Sequence, residues 1–441
     1  MAKTKTKKPK RKPYVNKAPE YESMPALKGI IPKNWYEAQG HVNKSTVDHF
    51  ADQWLDNAEK NKPLWKKHVA LKSLFGLAKN KCVVGIGGGP SFSKNQEVLK
   101  ETLNHDGVKE WEDRDFVTIA SNHMYKPLLE MGIIPDFVLL VDAADTVYDQ
   151  LCTDIPESGL NTTLITGIHC SNKIISEWSR QGREIAFYIT AAPDVMEIFQ
   201  KVYKKNPKYH KIELGGNCLN GAWMIGIAVL KTTVFIGVGN DLSYPIKRSL
   251  EDQRASYYSD GDYSSNSKDK GSGRDEAAAG KKWAGFSLMD NPIYKSTGNK
   301  EDRYHVNLDL VGTSHTLWIY KNWLETSLLN QIQNNISFHY FNCTEGGILG
   351  VMSRTHGDFG DILASNESMK DPKNWYMFDE VCKHYHTAKL KDAVYSFLQA
   401  KENMECHNRT LIDAQDVTKL VAPNGEDIAG IANQKKETLT H

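Results

Sequence analysis

The chain has 441 residues and a formal net charge of +1, and 40% of it is hydrophobic. That length supports one large core with additions, and the near-neutral balance removes any chain-wide bias toward nucleic acid or a membrane surface. No apolar run approaches the roughly 18–20 residues needed to span a bilayer, and the seven scattered cysteines contain no C-x-x-C pair, which speaks for a reducing cytoplasm and against a structural zinc site.

Residues 1–25 begin with a basic run that includes Lys7-Lys8-Pro9-Lys10-Arg11-Lys12 and almost no core-forming side chains. This is the composition of a disordered tail. It is either a plain solvated tail or an arm toward nucleic acid or an acidic partner. It has no apolar stretch of the kind a signal peptide needs. Residues 26–80 read as helical, with Trp54, Leu55, Leu64, Leu71 and Leu74 as apolar points.

The core is expected over 81–247. Strands are predicted at 82–86, 116–120, 137–141, 163–167, 185–189 and 233–237. Several are continuous apolar runs, as a sheet covered on both faces requires. Helices are predicted between them at 92–104, 123–131, 171–180, 193–203 and 218–230. Alternation of this kind predicts an α/β fold, doubly wound around a mostly parallel, Rossmann-like sheet. Residues 248–303 interrupt it with a polar insertion carrying Tyr257, Tyr258, Tyr263, Trp283 and Phe286, either a lid or a disordered loop. Residues 304–350 return to the core, with a helix over 316–333 and a strand over 338–341. Residues 351–441 form a helical C-terminal region with a loose end.

The turn after the first strand of the core, Gly87-Gly88-Gly89-Pro90-Ser91, carries the strongest chemical signal. Strand, glycine-rich turn and helix start together make a natural seat for phosphate. The glycines do not fit the dinucleotide fingerprint that would start at Gly85, because position 90 is Pro and no acidic residue ends the next strand. No P-loop motif occurs. In an open α/β sheet ligands lie beyond the carboxyl ends of the strands. The residues there are Ser121, Asn122 and His123, then Asp142 and Asp145, then His169, then Asn240, Asp241 and Tyr244, then Asn342, Thr344 and Glu345. Asp142 should face the cleft. Asp136 reads as a turn or cap residue. Glu345 fits an acid/base or hydroxyl-accepting role, or is a bystander in a second anion-binding turn. His315 is a candidate general base.

Together these segments resemble the MptE-like family, which holds archaeal 6-hydroxymethylpterin diphosphokinases and the motility accessory factor (Maf) glycosyltransferases of flagellated bacteria. The matching pieces are Gly87–Ser91, Met131-Gly132-Ile133-Ile134-Pro135-Asp136-Phe137 followed by Asp142, Ile236-Gly237 through Asp241-Leu242, and Asn342-Cys343-Thr344-Glu345-Gly346-Gly347. The likeness covers roughly 65–350 apart from the insertion, and the last piece is closer to the Maf branch. A weaker likeness is to bacterial sialyltransferases that use CMP-sialic acid. They carry a similar turn, an asparagine after the next strand (here Asn122), and a Gly/Ser/His piece after an insertion (here His315). They usually have Asn where this chain has Gly88.

The resemblance implies a cytoplasmic transferase with a nucleotide-activated donor, foremost a CMP-linked nonulosonic acid. Gly87, Gly88, Gly89, Pro90, Ser91 and Asn122, with Asp241, would hold the nucleotide. Asp142 would contact ribose or donor, and Glu345 and His315 would orient or deprotonate the acceptor hydroxyl. This reading needs no cofactor. Its alternative is pyrophosphoryl transfer from ATP to a hydroxymethylpterin, which would need Mg²⁺ held by Asp136 and Asp142. A third reading is a non-catalytic nucleotide-binding member.

Overall fold

The computed structural model describes residues 33–107, 109–190, 211–245, 293–297, 306–312, 315–334, 336–344, 347–349 and 383–417. The predicted basic tail, the helix at 193–203, most of the insertion and the last twenty residues lie outside them. Contacts divide the chain into two units, Met1–Leu390 and Lys391–His441. The described part of the second unit is helical through Val417.

The first unit is built on a ten-stranded sheet. Its strands are β1 (Val69–Ala70), β2 (Cys82–Ile86), β3 (Phe116–Ser121), β4 (Phe137–Leu140), β5 (Thr163–Gly167), β6 (Ile185–Thr190), β7 (Lys211–Ile212), β8 (Val234–Val238), β12 (His339–Asn342) and β13 (Tyr385–Thr387). The order is β1-β6-β5-β4-β3-β2-β8-β12-β13, with β7 on β6. Every pairing in it is parallel. Three short strands, β9 (Tyr244–Pro245), β10 (Ile293–Thr297) and β11 (Val306–Gly312), make a separate antiparallel sheet. The six predicted core strands are all present, within a residue or so at each end. The two-residue strands, the small sheet and β13 were not predicted.

The parallel sheet separates two apolar clusters, and strand periodicity decides which residue joins which. Phe137 and Leu139 of β4 join Val83, Val117, Ile119, Trp223, Phe235 and Tyr340 on one face. Val138 and Leu140 join Tyr125, Leu164, Trp178, Phe187 and Ile189 on the other. Both faces are covered, which is why β2, β3 and β4 are buried along their whole lengths.

Helices supply the cover. They are α1 (Lys33–Lys67), α2 (Phe92–Gly107), α3 (Tyr125–Glu130), α4 (Tyr148–Leu151), α5 (Asn172–Arg180), α6 (Cys218–Met224, continuing as a π-helix over Ile225–Leu230) and α7 (His315–Gln333). The helix of the second unit is α8 (Leu390–Val417). In α5 the Ser171 side chain caps the first turn by accepting from Ile174 N–H, and Ile174, Ile175 and Trp178 are buried. Within the segment expected to be helical over 26–80, the long helix ends at Lys67. Val69–Ala70 then pairs with Ala186 and Phe187 as an edge strand. Arg183, also buried, lays its guanidinium 3.1 Å from the Trp178 ring centroid and donates to Gly159 O at 3.0 Å.

Trp223 sits at the centre of the first face. Its ring is edge-on to Phe235, Phe338 and Tyr340 at 5.6, 5.1 and 5.3 Å, and its Nε1 donates to Ser327 Oγ at 3.2 Å. Trp223→Ala is expected to cost about 3–5 kcal/mol in urea unfolding. Ile134→Ala, at a side chain 47% exposed, should cost less than about 1 kcal/mol.

Candidate functional site

The chain order reverses at β2. Strands β3 to β6 run out on one side of it, and β8, β12 and β13 on the other. The crevice between the ends of β2 and β8 is therefore the topological switch point, where α/β sheets place their ligands. The turn Gly87–Ser91 leaves β2 on one side, and Gly239–Asp241 leaves β8 on the other.

The two loops are fastened directly to each other. Gly87 N–H donates to Val238 O at 2.8 Å and Gly89 N–H to Gly239 O at 2.9 Å. Ser91 donates through its backbone N–H to Asp241 Oδ1 at 3.1 Å and through its hydroxyl to Oδ2 at 2.8 Å. A Cβ on Gly89 would lie 2.1 Å from Asp241 Oδ2 and 2.7 Å from Gly239 O. This close approach is what the glycine-rich turn is for. Most amides of the turn on which a phosphate was expected already have partners within the protein. The N–H groups of Gly87, Gly89 and Ser91 are held by the protein itself, as is that of Phe92, which donates to Gly89 O. Asp241 supplies the anion at Ser91, and so acts as a clasp between loops. Burial pushes its carboxyl up to about 7, against the hydrogen bonds from Ser91 that pull it down.

Asn122 is also committed internally. Its Nδ2 donates to Gln150 Oε1 at 2.7 Å, and the Cys218 thiol points at its Oδ1 from 3.2 Å. The amide is buried, and these bonds tie the end of β3 to α4 and α6. His123 packs directly beside Gly88. A Cβ at Gly88 would lie 2.5 Å from His123 Cδ2.

Asp142 lies where the sequence suggested, just beyond β4, and it is exposed. Its charge reaches a group of side chains not singled out as site residues from the sequence. The Cys218 thiol is pushed up to about 12 by burial and then by Asp142. The Tyr320 hydroxyl, on α7, is pushed up to about 12 by the same two causes in the same order. Tyr188 is raised by burial first, with Asp142 among the smaller contributors. Nothing in the local sequence marks Tyr320, which reaches this edge only because α7 packs against α6, with Asn220 Nδ2 donating to Tyr320 O at 2.9 Å. His169, after β5, is buried with its ring edge-on to Trp54 and Tyr188 at 5.9 and 6.2 Å. Burial lowers its pKa to about 4, so it is neutral near pH 7.

Asp136 is the cap residue it was expected to be. Its carboxylate accepts from Thr118 N–H and Oγ1, both at 2.8 Å, and pairs with Arg114 at 2.9 Å. It precedes β4 and Asp142 lies two residues beyond it, so six steps of chain, about 20 Å when extended at ~3.3 Å each, separate them. They do not form the carboxylate pair that a shared Mg²⁺ would need. Among the described residues no group of three or more His, Cys, Asp or Glu is arranged to hold a metal ion.

His315 is the first residue of α7, and its side chain lies outside the described residues, as does all of Glu345. The segment after β12 nevertheless returns to the switch point, because Ile348 N–H donates to Asp241 O at 2.9 Å and Asn95 Nδ2 to Cys343 O at 2.8 Å.

The family model described as 6-hydroxymethylpterin diphosphokinase MptE-like matches residues 52–247. That segment runs from the second half of α1 through β8 and its loop, so it contains the sheet edge just described. The chain is thus similar to the MptE-like family over residues 52–247, and the fold there is α/β. No curated protein matches the chain. Among solved structures, a MAf glycosyltransferase from Magnetospirillum magneticum AMB-1 is similar, with a TM-score of 0.41 and 15% identity over 68% of this chain and 37% of that one. The chain therefore spans little more than a third of that protein's length. Among the described residues no helix is long and apolar enough to cross a membrane.

The clasp gives a pH dependence with a definite sign. The native carboxyl of Asp241 titrates near 7 and the unfolded one near the ordinary aspartate value of 3.8. Between those values the native state holds the extra proton, so its contribution to stability is complete below about pH 4 and is lost as pH rises through about 7. Asp241→Asn should remove that part of the slope in urea unfolding measured from about pH 4 to 8.

Proposed function

We propose that the domain is a transferase that binds a nucleotide-activated donor over the exposed rim of the sheet, from Gly88–Pro90 across to Asp142. The donor we favour is a CMP-linked nonulosonic acid. One observation carries the reading: the MptE-like match covers the same segment that builds the switch-point edge. Spacing supports it, since β2 and β4 are two strands apart, about 10 Å at ~4.8 Å per strand, the span of a phosphorylated ribose. Asp142 would accept hydroxyls of the ribose or the donor sugar. The acceptor hydroxyl would attack the anomeric carbon while CMP departs, with His315 and Glu345 as the groups to orient it and take its proton. Phosphate contact at Ser91 would require the Asp241 clasp to open, so the ligand phosphate is assigned to the outer part of the turn.

The matched family's description favours a second reading, pyrophosphoryl transfer from ATP to a hydroxymethylpterin. Its magnesium would need ligands other than the pair Asp136 and Asp142.

A thermal-shift series with CMP, UDP, GDP and ATP, each with Mg²⁺ and with EDTA, separates the two. Stabilisation by CMP that survives EDTA is expected; stabilisation by ATP that requires Mg²⁺ supports the second reading. Asp142→Asn should weaken binding of whichever nucleotide stabilises the wild type by about tenfold (~1.4 kcal/mol), with the melting temperature of the unliganded protein unchanged.

A further inference from the structure

The second half of α1 carries Gln53, Asn57 and Asn61 at four-residue spacing, which puts three carboxamides in one row along the helix. All three point their NH₂ groups at backbone carbonyls of the two loops beyond β4 and β5. Gln53 Nε2 donates to Ala143 O at 3.1 Å. Asn57 Nδ2 donates to the same Ala143 O at 2.9 Å and to His169 O at 3.2 Å. Asn61 Nδ2 donates to Ile168 O at 2.9 Å and to Cys170 O at 3.0 Å. Asn172 Nδ2 then donates to Asn61 Oδ1 at 2.9 Å, which fixes which end of that amide faces the loops.

Asn57 and Asn61 are buried. A helix that only needed to cover the sheet would place apolar side chains there, as it does with Ala58 and Trp65. A buried carboxamide is tolerated when its donors are satisfied, and here they satisfy carbonyls that leave the ends of the strands. Ala143 is the residue after Asp142. The two loops also meet each other, because Ser171 N–H donates to Asp142 O at 3.2 Å and the Ser171 hydroxyl donates to Asp145 Oδ1. Their position is thus set from one side by α1 and shared between them.

We infer that Gln53, Asn57 and Asn61 are positioning residues: a carboxamide ladder on α1 sets the loops after β4 and β5, and through Ala143 holds Asp142 at the rim for ligand. The inference rests on the reading of Asp142 as a ligand group. The segment similar to the MptE-like family likewise starts inside this helix, at residue 52, well before the first strand of the sheet.

The test uses the full chain with Asn57→Asp, which keeps the shape but removes the donors, and Gln53→Leu at the outermost rung. Amide exchange is followed by mass spectrometry over 142–146, 168–171 and, as reference, 234–238. Affinity is measured by calorimetry for CMP and for ATP with Mg²⁺. At about pH 8, Asn57→Asp should speed exchange in both loops by about tenfold or more with the reference strand unchanged, and weaken nucleotide binding by a similar factor (~1.4 kcal/mol per tenfold). Near pH 5 both should recover in part, because a buried carboxyl regains a proton there and can donate one hydrogen bond. Gln53→Leu should act on 142–146 alone, and it decides the matter if Asn57→Asp does not fold. Loop exchange at the wild-type rate, or a rise shared equally with the reference strand, overturns the ladder. So does unchanged affinity beside loosened loops. A wild-type protein that binds neither nucleotide sinks the functional reading, and the exchange data still decide whether the ladder sets the loops.

Discussion

Two hydrogen bonds from Ser91 to one buried carboxylate join the halves of the sheet at the point where the chain reverses its winding. Without Asp241, the start of α2 would present an unmatched N–H and hydroxyl to the interior. With it, the turn after β2 and the loop after β8 become one unit. The rest of the edge is arranged around that unit. The segment after β12 docks on Asp241 O, α2 reaches Cys343 through Asn95, and the glycines keep side chains out of the way. A charge buried this deeply is expensive in isolation, and the carboxyl answers by titrating near 7. The clasp is therefore a compromise between anion–helix attraction and desolvation.

Much of the scaffold was legible in the residues. Runs dominated by apolar side chains, such as Cys82–Ile86 and Phe116–Ala120, read as strands covered on both faces. The period-2 split of Phe137 and Leu139 from Val138 and Leu140 assigns faces without further information. Two-residue strands such as Val69–Ala70 could not be read, since no periodicity exists over two residues and a partner over a hundred positions away decides the outcome.

The site was legible in position and less so in wiring. Gly87–Ser91, Asn122, Asp142 and Asp241 do gather at strand ends. The sequence could not distinguish a glycine that admits a ligand from one that admits a neighbouring loop, because both require the same missing Cβ. Asp241 was assigned to the nucleotide by resemblance, and its partner Ser91 is 150 positions away. The carboxamides of α1 carried a visible signal, a four-residue spacing of amide side chains on an otherwise apolar face, but their targets are loop carbonyls, which leave no trace in side-chain chemistry.

The strand order has a consequence for synthesis. β2 emerges early and can be joined on one flank by β3 almost at once, yet its other flank waits for β8, and the contact that locks it spans 150 positions. Until the ribosome has delivered that later stretch, an apolar, hydrogen-bond-hungry edge stands open in the middle of what will become the sheet. A nascent chain halted between these two strands would be sticky, and a chaperone that shields extended apolar segments would find its natural client there.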